Sequence, residues 1–185
     1  MNFKFNKKDI LTIPNLLSGL RIVLIPIIAI LCVNYEFTAA VVLLIISGLT
    51  DVADGFIARK FDMISDLGKM LDPVADKLTQ AVVALCLLSL YPDMQYLFIL
   101  MVIKEILMAA NGYICISKIG KVPSAAWHGK MATVVVTVVL GIHMIWRDLN
   151  VFESGFFLIF AGEVMIFSLV AYILKTVYLI RKARK

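Results

Sequence analysis

The chain has 185 residues; 62% of them are hydrophobic, and 18 Lys and Arg residues against 13 Asp and Glu give a net charge of +5. Soluble domains are about 45–50% apolar, so this composition excludes an ordinary soluble protein and indicates a membrane protein. The length suits one domain, which we expect to extend over residues 1–185. Beyond its charge, the sequence gives no support for nucleic-acid binding.

Six apolar segments follow one another along the chain. Each approaches the length of about 20 residues that a helix needs to cross the hydrocarbon core of a bilayer. Backbone polar groups need internal partners in lipid, and the alternation of a membrane barrel is missing, so we expect helices. The predicted fold is an all-α integral membrane protein, a bundle of six transmembrane helices. The segments are Ile13–Val33, Ala39–Ile57, Leu67–Leu90, Tyr96–Ile116, Ala125–Trp146 and Phe156–Ile180.

Basic residues cluster on one side of this arrangement. Short loops rich in Lys and Arg stay in the cytoplasm, so we expect both termini and the connection between the second and third segments to face the cytoplasm of a bacterial cell. The terminal sequence RKARK can also bind anionic lipid headgroups, with a binding free energy of about 1 kcal/mol per basic residue. A plain topology signal is the simpler interpretation. The clusters contain Lys4, Lys7 and Lys8; Arg59, Lys60 and Lys69; and Lys118, Lys121 and Lys130.

The second segment ends in a group of acidic and small residues. Asp51, Asp54, Gly55 and Ala58 follow at relative positions i, i+3, i+4 and i+7, which places them on one face of a helix. Two carboxylates project from this face beside a surface of Gly and Ala that a ligand can approach closely. Arg59 follows one residue further on.

The third segment carries a second acidic column. Gly68, Asp72 and Asp76 are spaced by four residues and share a helix face. Pro73 leaves two alternatives open: Asp72 caps a helix that starts at the proline, or the helix runs through the proline with a kink. In both cases the short connection makes the second and third helices antiparallel neighbours, so we expect two pairs of carboxylates to converge at the cytoplasmic membrane surface.

Four converging carboxylates require positive charge between them, because like charges otherwise disfavour ionisation. Oxygen ligands without His or Cys indicate Mg²⁺, Mn²⁺ or Ca²⁺. Four carboxylates can hold two such ions, the arrangement that clamps a phosphoryl group and its leaving oxygen. A carboxylate that is not fully committed to metal can remove a proton from an attacking hydroxyl.

The pattern Asp51-x2-Asp54-Gly55-x2-Ala58-Arg59-x8-Gly68-x3-Asp72-x3-Asp76 resembles the signature of the CDP-alcohol phosphatidyltransferase family. The stretches IPNLLSGLRIVLIP and LGKMLDPVADK resemble its phosphatidylglycerophosphate synthases and cardiolipin synthases, and the likeness is weak beyond Gly129-Lys130. The resemblance implies six transmembrane helices, a homodimer, and transfer of a phosphatidyl group from CDP-diacylglycerol to an alcohol with release of CMP.

The resemblance also implies roles for the acidic residues. Asp51 and Asp72 would bridge two divalent ions, Mg²⁺ or Mn²⁺. Asp54 would complete one metal site and Asp76 the other. Asp76 would in addition be the general base that deprotonates the acceptor hydroxyl.

A second set of positions matches those that hold the CDP group in the family. These are Gly55, Ala58, Arg59 and Ser65, with Arg59 acting through a phosphate, while Gly68 would keep the third helix close to the nucleotide. Two other acidic residues, Asp62 and Asp66, lie in the connection and are interpreted as ordinary turn residues.

A different functional class also uses intramembrane acids, because carboxylates line ion and proton pathways in transporters. Here the acids gather at one interface rather than along a path across the membrane, and the Gly/Ala surface suits a nucleotide. The transferase hypothesis is therefore preferred, and CMP release separates the two.

The acceptor alcohol depends on basic residues elsewhere. A phosphorylated acceptor requires cationic groups near the metals, although single basic residues more often snorkel to the interface or pair with an acid. Lys104 and Glu105 are as readily explained by pairing with acids and bases of the bundle. The candidates are Lys104, Lys118, Lys121, Lys130 and His128, with Arg21 and Lys77 inside apolar segments.

The sequence departs here from phosphatidylglycerophosphate synthases, which often carry an Arg-Glu pair, a further arginine seven residues later, and Gly-Lys-x-Lys-Thr. This chain has Lys104-Glu105, Gly112 and the sequence GKMAT at residues 129–133. Two expected basic groups are absent. We expect sn-glycerol 3-phosphate as the acceptor, with Lys118 and Lys121 as substitutes for them; the alternative is phosphatidylglycerol in a cardiolipin synthase. Inositol phosphate and serine are disfavoured.

Overall fold

The computed structural model describes residues 13–60, 66–119 and 127–183. Within these ranges the chain forms six α-helices and no strand, which confirms the all-α prediction. Each predicted segment coincides with one helix, with ends that differ by a few residues. The helices are α1 (Ile13–Val33), α2 (Phe37–Lys60), α3 (Asp66–Leu87), α4 (Met94–Ile119), α5 (Trp127–Ile145) and α6 (Val151–Ala183).

Pro73 lies inside α3, which is continuous from Asp66 to Leu87. The alternative in which Asp72 caps a helix starting at the proline is therefore wrong. The helix runs through Pro73, as the other alternative has it, and the kink stays a prediction. A proline removes one helical hydrogen bond. Asp66, interpreted from the sequence as a turn residue, is the first residue of this helix.

Within the part of the chain that the structure describes, three helices are long and apolar enough to cross a membrane: α4 from Met94 to Lys118, α5, and α6. The described parts of α1 and α2 contain the shorter apolar stretches Gly19–Val33 and Phe37–Thr50. These lengths and compositions describe a multi-pass membrane protein. The count of six spans and the cytoplasmic position of the termini stay predictions.

The chain divides into two units, one ending at Cys86 and the other beginning at Leu87. In the first unit, α1 packs along α2. The buried side chains of this unit include Ile28, Cys32, Phe37 and Ala40. They come from the last turns of α1 and the first turns of α2, so apolar side chains are buried at this end of the helix pair.

The connection between α1 and α2 is a tight helix-terminating turn. The amide of Glu36 donates to the carbonyl of Leu31 at 2.8 Å, and that of Tyr35 to Cys32 at 3.0 Å. This pair of bonds is the Schellman arrangement, which requires a left-handed residue after the helix. Tyr35 occupies that place with φ 61°, where glycine is usual. The turn reverses the chain and brings the two helices side by side.

In the second unit, α6 packs against both α4 and α5. The buried positions of α5 and α6 recur at intervals of three and four residues, the spacing of one helix face packed into another. Those of α5 are Ala132, Val136, Val139, Leu140, His143 and Met144. Those of α6 are Ser154, Leu158, Ala161, Met165, Ser168 and, two turns later, Thr176.

A reciprocal pair of hydrogen bonds begins α6. The amide of Glu153 donates to Asn150 Oδ1 at 2.9 Å, and the amide of Asn150 donates to Glu153 Oε2 at 3.0 Å. This capping box satisfies two amides that the helix itself leaves unpaired. It explains why α6 begins at Val151, before the predicted apolar segment that starts at Phe156.

Tyr91 lies in the connection between α3 and α4 and is buried. Its hydroxyl donates to the carbonyl oxygen of Trp146 at 2.9 Å. Burial raises the pKa of this hydroxyl above its usual value, and the charge of Asp148 adds to the shift. The phenol therefore remains a donor at neutral pH and links this connection to the end of α5.

His143 is a fully buried polar residue at the same end of the second unit. Its Nδ1–H donates to the carbonyl of Val139 at 2.8 Å, so Nε2 accepts from the Ser154 hydroxyl at 3.1 Å. The rings of Tyr91 and Phe157 contact the imidazole edge to face, and their centroids lie 4.8 and 6.3 Å from that of His143. Both ring nitrogens of His143 therefore have hydrogen-bond partners, and the side chain joins α5 to α6.

Replacing His143 by alanine is expected to destabilise the second unit by about 2–4 kcal/mol, because it leaves a cavity and an unpaired buried hydroxyl. Thermal unfolding of the purified protein in detergent measures the effect as a lowered Tm. Thr137→Ala, at an exposed position of the same helix, is the control and should change Tm little. A Tm for His143→Ala equal to that of the control would show that the cluster does not stabilise the unit.

Candidate functional site

The first acidic pair lies near the end of α2. Asp51, Asp54, Gly55 and Ala58 all fall within the continuous helix Phe37–Lys60. The helical spacing from which a common face was predicted is therefore present in the backbone. The side chains of these residues and of Arg59 lie outside those that the structure describes, and their convergence stays a prediction.

The second acidic column lies in the first half of α3. Gly68, Asp72 and Asp76 belong to one uninterrupted helix, so successive members of the column are separated by about one turn. Asp76 is the member whose side chain is described. Ser65, predicted to contact the nucleotide, falls outside the described residues, as does Asp62.

Asp76 forms an ion pair with Arg21 of α1. Arg21 Nη1 donates to Asp76 Oδ1 at 2.6 Å. The arginine side chain is 3% exposed, whereas the aspartate side chain is 45% exposed. The guanidinium therefore lies inside the protein and the carboxylate at its surface, which fixes the carboxylate without covering it.

The surroundings of Asp76 place it on the border between two faces of α3. Its neighbour Ala75 is fully buried, while Lys77 and Leu78 are exposed. The hydroxyl of Thr79 donates back to the carbonyl of Ala75 at 2.8 Å. Asp76 therefore lies between a buried and an exposed position of α3.

Arg21 was predicted as one of several candidates for an acceptor phosphate. The structure gives it a different partner, the carboxylate predicted to act as the general base. A signal for this pairing exists in the sequence, because an arginine inside an apolar helix is expected to meet an acid within the protein. Periodicity along one helix does not show which acid that is.

The aspartates fit divalent metal ions by the chemistry of their donors, since Mg²⁺ and Mn²⁺ prefer carboxylate oxygens. Asp76 contributes an exposed carboxylate held by a buried cation. Among the side chains that the structure describes, no group of three His, Cys, Asp or Glu residues is close enough to hold a metal ion. The other three predicted ligands are not among those side chains.

The basic candidates for acceptor binding divide into paired and exposed residues. Lys104 Nζ lies 3.3 Å from Glu105 Oε1, so these two neighbours pair with each other. Their pairing with other acids and bases of the bundle stays a prediction. Lys118 and Lys130 are exposed near the end of α4 and the start of α5. Lys121 falls outside the described residues.

His128, another of these candidates, packs against α6. Its Nδ1 lies 3.4 Å from Ser168 Oγ, and its ring meets the ring of Tyr172 edge to face at 6.5 Å. These contacts use the side chain to join α5 to α6. They favour a packing role over direct contact with an acceptor.

Sequence reasoning missed a buried polar pair in the second unit. Asn111 Nδ2 donates to Thr176 Oγ1 at 3.0 Å, and both residues are buried. Such a bond joins α4 to α6 inside the bundle, as polar side chains commonly do between membrane helices. Asn111 precedes Gly112, the position at which an expected basic group is absent.

The fold and the site define a class: an all-helical multi-pass membrane protein with carboxylates on two consecutive helices joined by a short connection. The chain belongs to the CDP-alcohol phosphatidyltransferase family, whose pattern it matches over residues 11–176. The family predicted from the aspartate signature is thereby confirmed.

Curated relatives carry two kinds of name. The chain is 29% identical over 162 residues to the CDP-diacylglycerol--glycerol-3-phosphate 3-phosphatidyltransferase of Aquifex aeolicus, covering 86% of this chain and 89% of the relative. It is 31% identical over 161 residues to the Escherichia coli protein of the same name, covering 83% and 87%. A cardiolipin synthase (CMP-forming) / mitochondrial hydrolase fusion protein of Schizosaccharomyces pombe is 44% identical over 82 residues, which are 44% of this chain and only 14% of that relative.

Proposed function

We propose that this protein transfers the phosphatidyl group of CDP-diacylglycerol to sn-glycerol 3-phosphate, with release of CMP, as a step of phospholipid biosynthesis. The observation that carries the proposal is the Arg21–Asp76 pair, which gives the last carboxylate of the family signature a fixed yet accessible position. Relatives that match over most of this chain are named for the same reaction.

In this proposal Asp51, Asp54, Asp72 and Asp76 hold two divalent ions, Mg²⁺ or Mn²⁺. The ions, when bound, neutralise the pyrophosphate and polarise the phosphorus that is attacked. Asp51 and Asp72 would be shared between the two ions, Asp54 would complete one site and Asp76 the other. The support is the donor chemistry and the helical spacing of the four residues in α2 and α3.

Asp76 then accepts the proton of the acceptor hydroxyl. The hydroxyl oxygen attacks the phosphorus of the phosphatidyl group, and the bond from that phosphorus to the oxygen of CMP breaks. The new phosphodiester stays in the lipid, and CMP leaves with the electron pair of the broken bond. The partly exposed Asp76 side chain suits this role, because a base must reach an acceptor that arrives from outside.

The nucleotide part of the donor is assigned to α2 and the start of α3. Gly55 and Ala58 offer a surface without large side chains, Arg59 contacts a phosphate, and Ser65 and Gly68 complete the pocket. A phosphate beside an arginine forms charge-assisted hydrogen bonds that are stronger than neutral ones. The acyl chains of the donor remain in the surrounding membrane lipid.

The proposed setting is a bacterial cell membrane with the site on the cytoplasmic side. The basic clusters support this orientation, because short loops rich in Lys and Arg stay in the cytoplasm. We further propose a homodimer, on the family resemblance. Family membership favours this transferase over an ion or proton transporter, and release of CMP distinguishes them: a transporter produces none.

A second candidate acceptor is phosphatidylglycerol, which would make the protein a cardiolipin synthase. Two observations favour it. Gly112 and Ala132 stand where phosphatidylglycerophosphate synthases often carry basic residues, and Ala132 is 1% exposed in α5. The S. pombe relative, named a cardiolipin synthase, also has a higher identity over its shorter match than the two longer matches.

In the test, purified protein in detergent is incubated with CDP-diacylglycerol and one labelled acceptor. The acceptors are sn-glycerol 3-phosphate, phosphatidylglycerol, inositol phosphate and serine. We expect labelled lipid with sn-glycerol 3-phosphate and none with serine or inositol phosphate. Lipid product formed only from phosphatidylglycerol would replace the first acceptor by the second. Absence of CMP with every acceptor would contradict the proposed reaction itself.

A further inference from the structure

We propose that Arg21 is a positioning residue for the transfer reaction: it holds the Asp76 carboxylate in the orientation in which it accepts the proton of the acceptor. The inference rests on the proposed function. It assigns to α1 a part in the chemistry that the aspartate signature on α2 and α3 does not include.

Arg21 occupies a core position of α1. Ile25, Ile28 and Cys32 follow it at i+4, i+7 and i+11, and all three are buried. Arg21 itself is 2% exposed, so the guanidinium is on the same inner face as these apolar side chains. An arginine that only marked membrane topology would extend its charged end toward water or lipid headgroups.

The burial also argues against direct contact with an acceptor phosphate. A phosphate-binding guanidinium must be reachable from the side on which the substrate arrives. Here the exposed member of the pair is Asp76, at 45%, and the arginine side chain behind it is 3% exposed. Arg21 therefore acts on the substrate through Asp76.

The contact constrains the carboxylate at one defined atom. Arg21 Nη1 donates to Asp76 Oδ1 at 2.6 Å, a short hydrogen bond between two charged groups, and such charge-assisted bonds are stronger than neutral ones. The guanidinium is a planar group with its donors in fixed directions, so it restricts the rotation of the carboxylate more than an ammonium does. A misplacement of about 1 Å can lower a catalytic rate by about 10²-fold.

Three variants test this role: Arg21→Gln, Arg21→Lys, and Arg147→Gln as a matched change at an exposed arginine. The kcat and the KM for sn-glycerol 3-phosphate are measured by CMP release. Tm and Mn²⁺ binding, the latter by electron paramagnetic resonance in the presence of CDP-diacylglycerol, are measured on the same samples.

We expect Arg21→Gln to lower kcat by about 10²-fold, with KM and Mn²⁺ binding changed by less than about threefold. Arg21→Lys keeps the charge and should recover part of that loss, with kcat about tenfold below the unaltered protein. Arg147→Gln should match the unaltered protein in every measurement.

A large rise in KM with unchanged kcat would overturn the inference, because it would make Arg21 an acceptor ligand. Unaltered kcat in Arg21→Gln would also overturn it. If Arg21→Gln does not fold, Arg21→Lys decides: reduced kcat at an unchanged Tm supports positioning, and full kcat contradicts it. Absence of CMP release from the unaltered protein would instead contradict the proposed function.

Discussion

Asp76→Asn is expected to lower turnover by about 10³-fold or more, because an amide cannot accept the proton of the acceptor hydroxyl. The substitution keeps the size of the side chain and an oxygen that can accept the hydrogen bond of Arg21. Binding of CDP-diacylglycerol should therefore be retained to a measurable extent. Single-turnover release of CMP reports the chemical step, and equilibrium binding of the CDP-lipid reports the pocket.

The control for this variant is Asp148→Asn, which makes the same change at an exposed aspartate between α5 and α6. It should leave CMP release close to that of the unaltered protein. Full activity of Asp76→Asn would refute the general-base assignment. Loss of all CDP-lipid binding would assign Asp76 to metal and donor binding instead of proton transfer.

Removal of divalent ions is expected to abolish CMP release. Without cations the converging aspartates repel one another and the pyrophosphate, and the leaving group is not stabilised. The protein is treated with EDTA, the chelator is removed, and Mg²⁺ or Mn²⁺ is added back at increasing concentration. Activity should return with either ion.

The matched measurement is Mn²⁺ binding by electron paramagnetic resonance in Asp72→Asn, which removes a ligand predicted to contact both ions. We expect this variant to lose the bound Mn²⁺ signal along with activity. CMP release that persists in chelator would contradict the two-metal arrangement. Normal activity and normal Mn²⁺ binding in Asp72→Asn would show that Asp72 is not a metal ligand and that the metal site lies elsewhere.

The fold could be read from the sequence largely because a bilayer leaves the backbone few choices. Apolar segments of sufficient length must be helical in lipid, and six such segments became α1 to α6. Helix ends were less predictable. The capping box of Asn150 and Glu153 starts α6 in a polar stretch, and hydropathy alone does not detect it.

The aspartate site was predictable to the extent that it depends on spacing within one helix. Asp72 and Asp76 have their expected relation because α3 is continuous through Pro73. Contacts between helices were not predictable in the same way. Which face of α1 meets α3 depends on packing, so Arg21 was one of several cations without an assigned partner until the structure placed it on Asp76.

The polar contacts of the second unit show the same limit. His143 and Ser154 are 11 residues apart, and Asn111 and Thr176 are 65 residues apart. Each residue alone, within an apolar helix, signals only that a partner exists. The partner is determined by how α4 and α5 pack on α6, which periodicity along a single helix does not specify.

The most direct test of the central claim is mass spectrometry of the lipid and nucleotide products. Purified protein in detergent is incubated with CDP-diacylglycerol, isotopically labelled sn-glycerol 3-phosphate and Mg²⁺. The account predicts labelled phosphatidylglycerophosphate and CMP in equimolar amounts, formed with metal and not in EDTA. CDP-diacylglycerol recovered intact, with no CMP from a folded protein in the presence of metal, would contradict it.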